Sequence, residues 1–243
     1  MSMSLRKTAF VAGVLYLITF ATSIPALGLY DGVLNDPGFV LGAGAGGGVT
    51  LGALMEIICA LAGIGTAVVL YPVVRRFGER AALGFVTTRV VEAAMIMTGV
   101  LSLLSVVTLR QDVAGAAGAD AASLATTGHA LVALHDWTFL LGPGLMPALN
   151  ALLLGSVMYR SGLVPRIIPA VGLVGAPMLL AFFLAALFGA VDQVSAAGML
   201  LALPIAAWEF SLGVWMTVKG FRAPAARPAR AADGGPAVQP ATA

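Results

Sequence analysis

Long uninterrupted apolar segments constrain this chain more than any other feature of its sequence. A helix needs about 20 apolar residues to cross the hydrocarbon layer of a bilayer. Six segments reach that length, at residues 8–29, 50–74, 82–108, 136–159, 166–189 and 195–218. They lack the strict alternation of barrel strands, and lipid permits only helices or closed barrels. The sequence therefore predicts an all-α fold, a polytopic membrane bundle of six transmembrane helices.

The composition supports a lipid bilayer as the partner of this chain. Charged residues make up only 10% of it, whereas soluble domains carry about 25%, and the mean hydropathy is +0.99. The first segment follows Arg6 and Lys7 as a signal peptide would. Its apolar part is longer than the usual core of about 7–15 residues, so we interpret it as a retained first span.

Basic residues occupy alternate loops, and this pattern predicts the orientation. One side holds eleven of the 13 lysines and arginines: Arg6, Lys7, Arg75, Arg76, Arg80, Arg160, Arg166, Lys219, Arg222, Arg227 and Arg230. The other side holds Arg110 with Asp31, Asp36, Asp112, Asp120 and Asp192. The positive-inside rule then places both termini in the cytoplasm, and we expect this multi-pass bundle to reside in the cell's inner (cytoplasmic) membrane. The basic excess is a topological signal, so no nucleic-acid partner is expected.

The chain divides into a six-helix domain, residues 1–221, and a tail, residues 222–243. The tail is rich in Ala, Pro and Gly without periodicity, which predicts a disordered cytoplasmic segment. Residues 110–135 leave two interpretations open: a short interfacial helix capped by Asp120, or an extension of the fourth span. Pro143 and Pro147 predict a kink in that span, because each removes a backbone donor.

Ionisable groups inside the spans form a candidate buried network. Arg89 and Glu92 are three residues apart and share one helix face. Counting 1.5 Å per residue places Asn150 and Glu209 in the same layer. We expect Arg89 to pair with Glu92 along its own helix and with Glu209 across helices. Such a layer is either an ion network that fixes helix register or a proton or substrate site.

A second set of polar residues lies nearer the opposite edge. Glu56 is on the second span, and His135 and Asp136 begin the fourth. They form either an outer polar cluster, where histidine would respond to pH, or separate interfacial groups beside Trp137. Both interpretations remain open at this point.

The sequence offers no candidate cofactor site, metal site or catalytic residue. Residues 42–48, GAGAGGG, match G-x-G-x-x-G, but a span follows and no acidic residue stands about 20 positions on. One cysteine and two histidines are too few for a zinc site. No nucleophile motif accompanies His135.

Three segments carry a family resemblance: RVVEAAM, GSVMYRSGLVPRIIPAVGLVG and WEFSLGVWMTVKGF. With them the chain resembles the bacterial family of domain of unknown function 4386 (DUF4386), from the first span to Phe221. The resemblance implies an integral membrane protein of several helices and supplies no activity. The matching signature positions would be Arg89, Glu92, Tyr159, Arg160, Ser161, Pro165, Arg166, Glu209, Trp215, Lys219 and Gly220.

Three functions remain compatible with these residues. The first is a non-enzymatic membrane protein, structural or regulatory, held together by the charged layer. The second is a small proton-coupled transporter that titrates Glu92 and Glu209, and the third is an intramembrane enzyme acting on a lipid. Water access to the charged layer separates the first two, because a carrier needs an open polar cavity and a structural tie does not. The sequence specifies neither a substrate nor an oligomeric state.

Overall fold

The computed structural model describes residues 4–42, 46–113 and 121–222 of the chain. Within these ranges the backbone forms α-helices, one 3-10 turn at Phe39–Leu41 and no strand, which confirms the all-α prediction. The α-helices are α1 (Leu5–Leu29), α2 (Asp31–Asn35), α3 (Gly47–Val74), α4 (Glu79–Val113), α5 (Ala121–Leu141), α6 (Met146–Ser161), α7 (Ile167–Leu187) and α8 (Ala196–Val218).

Six spans are present in the described part of the chain, as the apolar segments predict. Each of α1, α3, α4, α7 and α8 is long and apolar enough to cross a membrane, and α5 with α6 makes up the fourth span. The main boundary difference is at that span, because α5 begins at Ala121 rather than near residue 136. Residues 121–135 therefore extend the fourth span, and the interfacial-helix alternative is wrong. The proposed cap, Asp120, lies outside the described residues.

The fourth span is interrupted where its two prolines predict a kink. Residues 142–145 form a turn between α5 and α6, and Pro147 occupies the first turn of α6, where proline is tolerated. The Gly144 N–H donates to the Phe139 carbonyl at 2.9 Å, which keeps part of the interrupted backbone satisfied. The helix of the fourth span is therefore interrupted at residues 142–145, the segment for which the prolines predict a kink.

The spans pack in a ring in which each contacts two neighbours. Helix α1 lies between α3 and α8, α7 lies between α8 and α6, and α4 lies between α6 and α3, while α5 packs against α4. The interior of the ring holds Tyr16, Phe85, Trp208 and Met216, all buried. Large apolar side chains such as Leu61, Val68 and Val174 point outward from it, as a lipid-facing surface requires.

Small residues let two of these helices approach closely. A Cβ atom added at Gly172 on α7 would lie 2.6 Å from Cγ of Trp208 on α8. No side chain fits there, so the indole of Trp208 seats directly on the α7 backbone. Between membrane helices, small residues of this kind replace the hydrophobic effect as the basis for tight packing.

Both ends of the described chain lie at the same end of the bundle. The Arg6 Nη2 atom donates to the Val218 carbonyl at 2.8 Å, which joins the start of α1 to the end of α8. We term this the basic end, since it carries Arg6, Lys7, Arg75, Arg76, Arg80, Arg160, Arg166, Lys219 and Arg222. The Arg222 N–H donates to the Leu163 carbonyl at 2.8 Å, so the first residue of the predicted tail is hydrogen-bonded to the bundle. Residues 223–243, the rest of that tail, lie outside the described residues.

Candidate functional site

Arg89 lies inside the bundle, about 15 Å along α4 from the first residue of that helix. The spacing of three residues brings Glu92 onto the same face, and Arg89 Nη1 lies 3.0 Å from Glu92 Oε2. The ion pair within RVVEAAM thus follows from helix geometry alone. An arginine at this depth requires such a partner, because an isolated charge in hydrocarbon is costly.

The second carboxylate comes from α8, on the far side of the ring. Arg89 Nη2 donates to Glu209 Oε1, so one guanidinium holds two acids with two different nitrogen atoms. Helices α4 and α8 are not neighbours in the ring. The pairing of Arg89 with Glu209 that the sequence predicts therefore joins the third and sixth spans through side chains rather than through packed backbones. The length of the arginine side chain makes that reach possible.

Asn150 on α6 completes the layer. Its Nδ2 atom donates to Glu92 Oε2 at 2.9 Å, and its Oδ1 atom accepts from the hydroxyl of Thr88. One carboxylate oxygen of Glu92 therefore accepts from both Arg89 and Asn150. The structure brings together all four residues of the candidate network, and adds Thr88. We term this set the charged layer: Thr88, Arg89, Glu92, Asn150 and Glu209.

Aromatic rings enclose the guanidinium on its remaining faces. The Arg89 Cζ atom lies 5.3 Å from the ring centroid of Tyr16 and 5.8 Å from that of Phe85. Desolvated contacts of this type between a cation and a ring stabilise the charge. Tyr16 on α1 and Thr88 were not predicted as members. The available signals were a tyrosine inside an apolar run and a threonine adjacent to Arg89, and both are too common in spans to decide the matter.

The charged layer is closely packed. Arg89 is 4% exposed and Glu92 is 8% exposed. A groove lined by Thr50, Leu54 and Leu104, and a small cavity beside Asp36 and His129, both lie nearer the opposite end and contain no member of the layer. The side chains of Glu92 and Glu209 are exposed to nearly the same extent, 11% and 12%. Two carboxylates face one guanidinium here, so the described layer contains one more acid than base.

The outer polar residues divide into a buried pair and an exposed acid. The Tyr30 hydroxyl donates to Glu56 Oε2 at 2.9 Å, and the ring of His135 meets Tyr30 edge-on at 5.8 Å. Glu56 and His135 are both buried. Asp136 leaves 57% of its side chain exposed although its Oδ1 lies 3.3 Å from His135 Nδ1, and Trp137 also points outward. Consecutive helix residues point about 100° apart, so His135 lies in the interior while Asp136 remains exposed.

Tyr30 contacts both members of this buried pair and is the residue that sequence reasoning missed. It follows α1 directly, and its ring packs on Gly52 of α3 so closely that an added Cβ would lie 2.6 Å away. Elsewhere in the described ranges, no three histidine, cysteine or acidic side chains converge as a metal site would require. Of the glycine-rich segment, residues 43–45 lie outside the described ranges, and Gly47 starts α3.

The same residues that form the charged layer lie within a family match. The model of the family described as Domain of unknown function (DUF4386) matches residues 11–220. The chain belongs to the DUF4386 family. The match runs from α1 past the end of α8 and includes every member of the charged layer, which confirms the resemblance noted from the sequence. No curated protein and no solved structure matches this DUF4386 protein.

Proposed function

We propose that this DUF4386 protein is a non-enzymatic multi-pass membrane protein, structural or regulatory in role, whose charged layer ties the ring of helices together. The observation that supports the proposal is the enclosure of Arg89 between two carboxylates and two aromatic rings. A carrier would need water to reach these acids, and their burial argues for a permanent tie.

The charged layer connects helices that do not pack against each other. Helices α4 and α8 are held apart by the ring, and the pair between Arg89 and Glu209 joins them across it. Asn150 brings α6 into the same connection through Glu92. Removing one partner of a buried ion pair leaves a charge without compensation, which is more damaging than removing the whole set. The layer therefore favours one arrangement of three helices over alternatives that would separate the charges.

For location, we propose that the basic end faces the cytoplasm and that the protein resides in the cell membrane. The support is the excess of lysine and arginine at that end, where α1 begins and α8 ends. Short loops with many basic residues are retained on the cytoplasmic side during insertion.

One observation favours a proton-coupled carrier as a second candidate. The break between α5 and α6 lies beside the charged layer, since a Cβ added at Gly142 would lie 2.7 Å from Cβ of Met95 and 3.5 Å from the Glu92 carbonyl. Broken helices at membrane depth line the binding sites of many carriers. The additional carboxylate, Glu209, supplies a group that binds a proton if the break opens.

Substitution of Glu209 by Gln separates the two candidates. The purified protein would be placed in vesicles with an internal pH-sensitive dye, and proton entry would be recorded beside thermal melting. For a structural tie we expect a modest fall in melting temperature, because one neutral acceptor still faces Arg89, and no change in proton entry. Asp136→Asn is the matched control, since it makes the same acid-to-amide change at an exposed side chain. Loss of proton entry with unchanged melting, in Glu209→Gln alone, would assign the carrier function.

A further inference from the structure

We propose that one corner of the basic end binds the headgroups of anionic phospholipids. The corner consists of Arg6, Arg160, Arg166, Lys219 and Arg222, and we term it the basic corner. It brings together the start of α1, the loop between α6 and α7 and the segment after α8. The proposal does not depend on the function of the charged layer.

Backbone and side-chain contacts assemble the basic corner into one surface. Arg6 donates to the Val218 carbonyl. It also lies close to Gly220, because a Cβ added at Gly220 would be 2.9 Å from the Nη1 atom of Arg6. Two residues further on, the Arg222 N–H donates to the Leu163 carbonyl. These contacts bring cations from three separate parts of the sequence together on one surface.

Two of the guanidinium groups lie over aromatic rings. The Arg166 Cζ atom lies 5.7 Å from the ring centroid of Tyr159, and the Arg222 Cζ atom lies 5.0 Å from that of Trp215. A contact with a ring restrains the guanidinium, whose planar fork carries five N–H donors. Both arginines are exposed. Preoriented donors of this kind match the oxygens of a phosphate group.

The basic corner contains no compensating acid. Its described segments, residues 4–7, 159–166 and 219–222, include no aspartate or glutamate. The other basic loop differs in this respect, because Glu79 stands between Arg76 and Arg80. The corner should therefore hold an anion more strongly than that loop does.

Apolar residues directly beside the cations favour a lipid over a soluble phosphate. Ile167 follows Arg166 and is 71% exposed, and Val218 precedes Lys219 and is 58% exposed. Leu5, next to Arg6, is also exposed. A phospholipid satisfies both features at once, since its phosphate meets the cations while its acyl chains cover the adjacent apolar side chains.

The test measures lipid binding to the full chain in a neutral detergent. Phosphatidylglycerol and phosphatidylcholine would be titrated separately, with thermal melting and native mass spectrometry as readouts. The triple variant Arg160→Gln, Arg166→Gln and Arg222→Gln removes three charges from the basic corner. The control, Arg75→Gln with Arg76→Gln and Arg80→Gln, removes three charges from the other loop. A second triple variant, Arg160→Lys, Arg166→Lys and Arg222→Lys, keeps the charges and reports the effect of losing the guanidinium groups.

We expect phosphatidylglycerol to bind the corner variant roughly tenfold or more weakly than the parent, since each interfacial cation contributes to attraction for anionic lipid. The control should keep most of the binding, and the lysine variant should bind more tightly than the glutamine variant but more weakly than the parent, because lysine lacks the planar fork. Equal loss in the corner and control variants would overturn the proposal, because it would show only the effect of overall charge. Binding of phosphatidylcholine to the same extent, or equal protection by inorganic phosphate, would overturn it as well.

Discussion

At the scale of single residues, Arg89 has the environment that a cation needs inside a bilayer. Its two terminal nitrogens meet different carboxylates, and aromatic rings cover its faces. Only its Nε atom is buried without a hydrogen-bond partner among the described atoms. The bilayer core contains no water that could replace these partners, so loss of one partner would leave a charged group of the layer without a hydrogen bond.

Substitution of Arg89 by Ala is expected to destabilise the protein strongly. It would leave Glu92 and Glu209 facing each other without a cation, and breaking a buried pair in this way typically costs about 3–5 kcal/mol. Thermal melting in detergent measures the loss. Arg80→Ala, which removes an exposed arginine from the basic end, is the control and should melt close to the parent. Unchanged melting of Arg89→Ala would contradict the structural role of the layer.

The sequence predicts the charged residues of this layer but not the aromatic ring that covers the guanidinium. The pairing of Arg89 with Glu92 is local, because a helix of any context places residues three apart on one face. The reach to Glu209 and Asn150 could be anticipated from depth, since antiparallel spans share a common axis. Tyr16 carries no charge that demands a partner, so only its packed position reveals that it covers the guanidinium.

At the scale of helices, close packing depends on where small residues face large ones. Gly172 and Gly63 are both glycines within spans, and their surroundings differ. An added Cβ at Gly172 would overlap Trp208, whereas no atom lies within 4 Å of an added Cβ at Gly63. Sequence patterns cannot distinguish these two glycines, because the distinction depends on which helix is adjacent.

Substitution by alanine at the two glycines is therefore expected to change the stability of the protein differently. Gly172→Ala forces Trp208 away from α7 and should cost about 1–3 kcal/mol through overpacking. Gly63→Ala adds a methyl group in open space and should be neutral or slightly stabilising, since alanine favours helix over glycine. Thermal melting of both variants decides the point, with tryptophan fluorescence reporting displacement of Trp208. Equal melting of the two would mean that α7 and α8 are not packed as described.

Helix boundaries were predictable where breakers are present and less so elsewhere. Pro143 and Pro147 interrupt the fourth span because neither can donate a backbone hydrogen bond. The sequence predicts that this span begins at residue 136, whereas the helix begins at Ala121, because residues 121–135 mix alanine, threonine and leucine without a clear apolar run. Their helix is continuous with the span and packs on α4, so tertiary contact outweighs weak local hydropathy.

At the scale of the whole molecule, charge is distributed unevenly between the two ends. Nine basic residues of the described chain lie at the basic end, and the opposite end has Asp31, Asp36, Asp112, Asp136 and Asp192 with Arg110. This asymmetry predicts the orientation in the membrane. The basic corner is a local feature within it, set by how three segments meet.

Thiol labelling in intact cells tests that orientation. Cys59 is the single cysteine of the chain, so Cys59→Ser provides a background without thiols. Phe77→Cys in the loop between α3 and α4, and Val194→Cys in the loop between α7 and α8, both place a thiol at an exposed position. A membrane-impermeant maleimide should label position 194 and leave position 77 unmodified until the cells are opened. The reverse pattern would place the basic end outside.

The sequence alone determined the number of spans, the ends at which basic residues collect and the pairing of Arg89 with Glu92. Each of these depends on local geometry or on a count along the chain. Only the tertiary structure decided that α4 and α8 are joined across a ring rather than packed together, that Tyr16 covers the guanidinium, and that Glu56 and His135 turn inward. Those outcomes depend on which helices become neighbours, and neighbour choice arises from shape complementarity between distant segments.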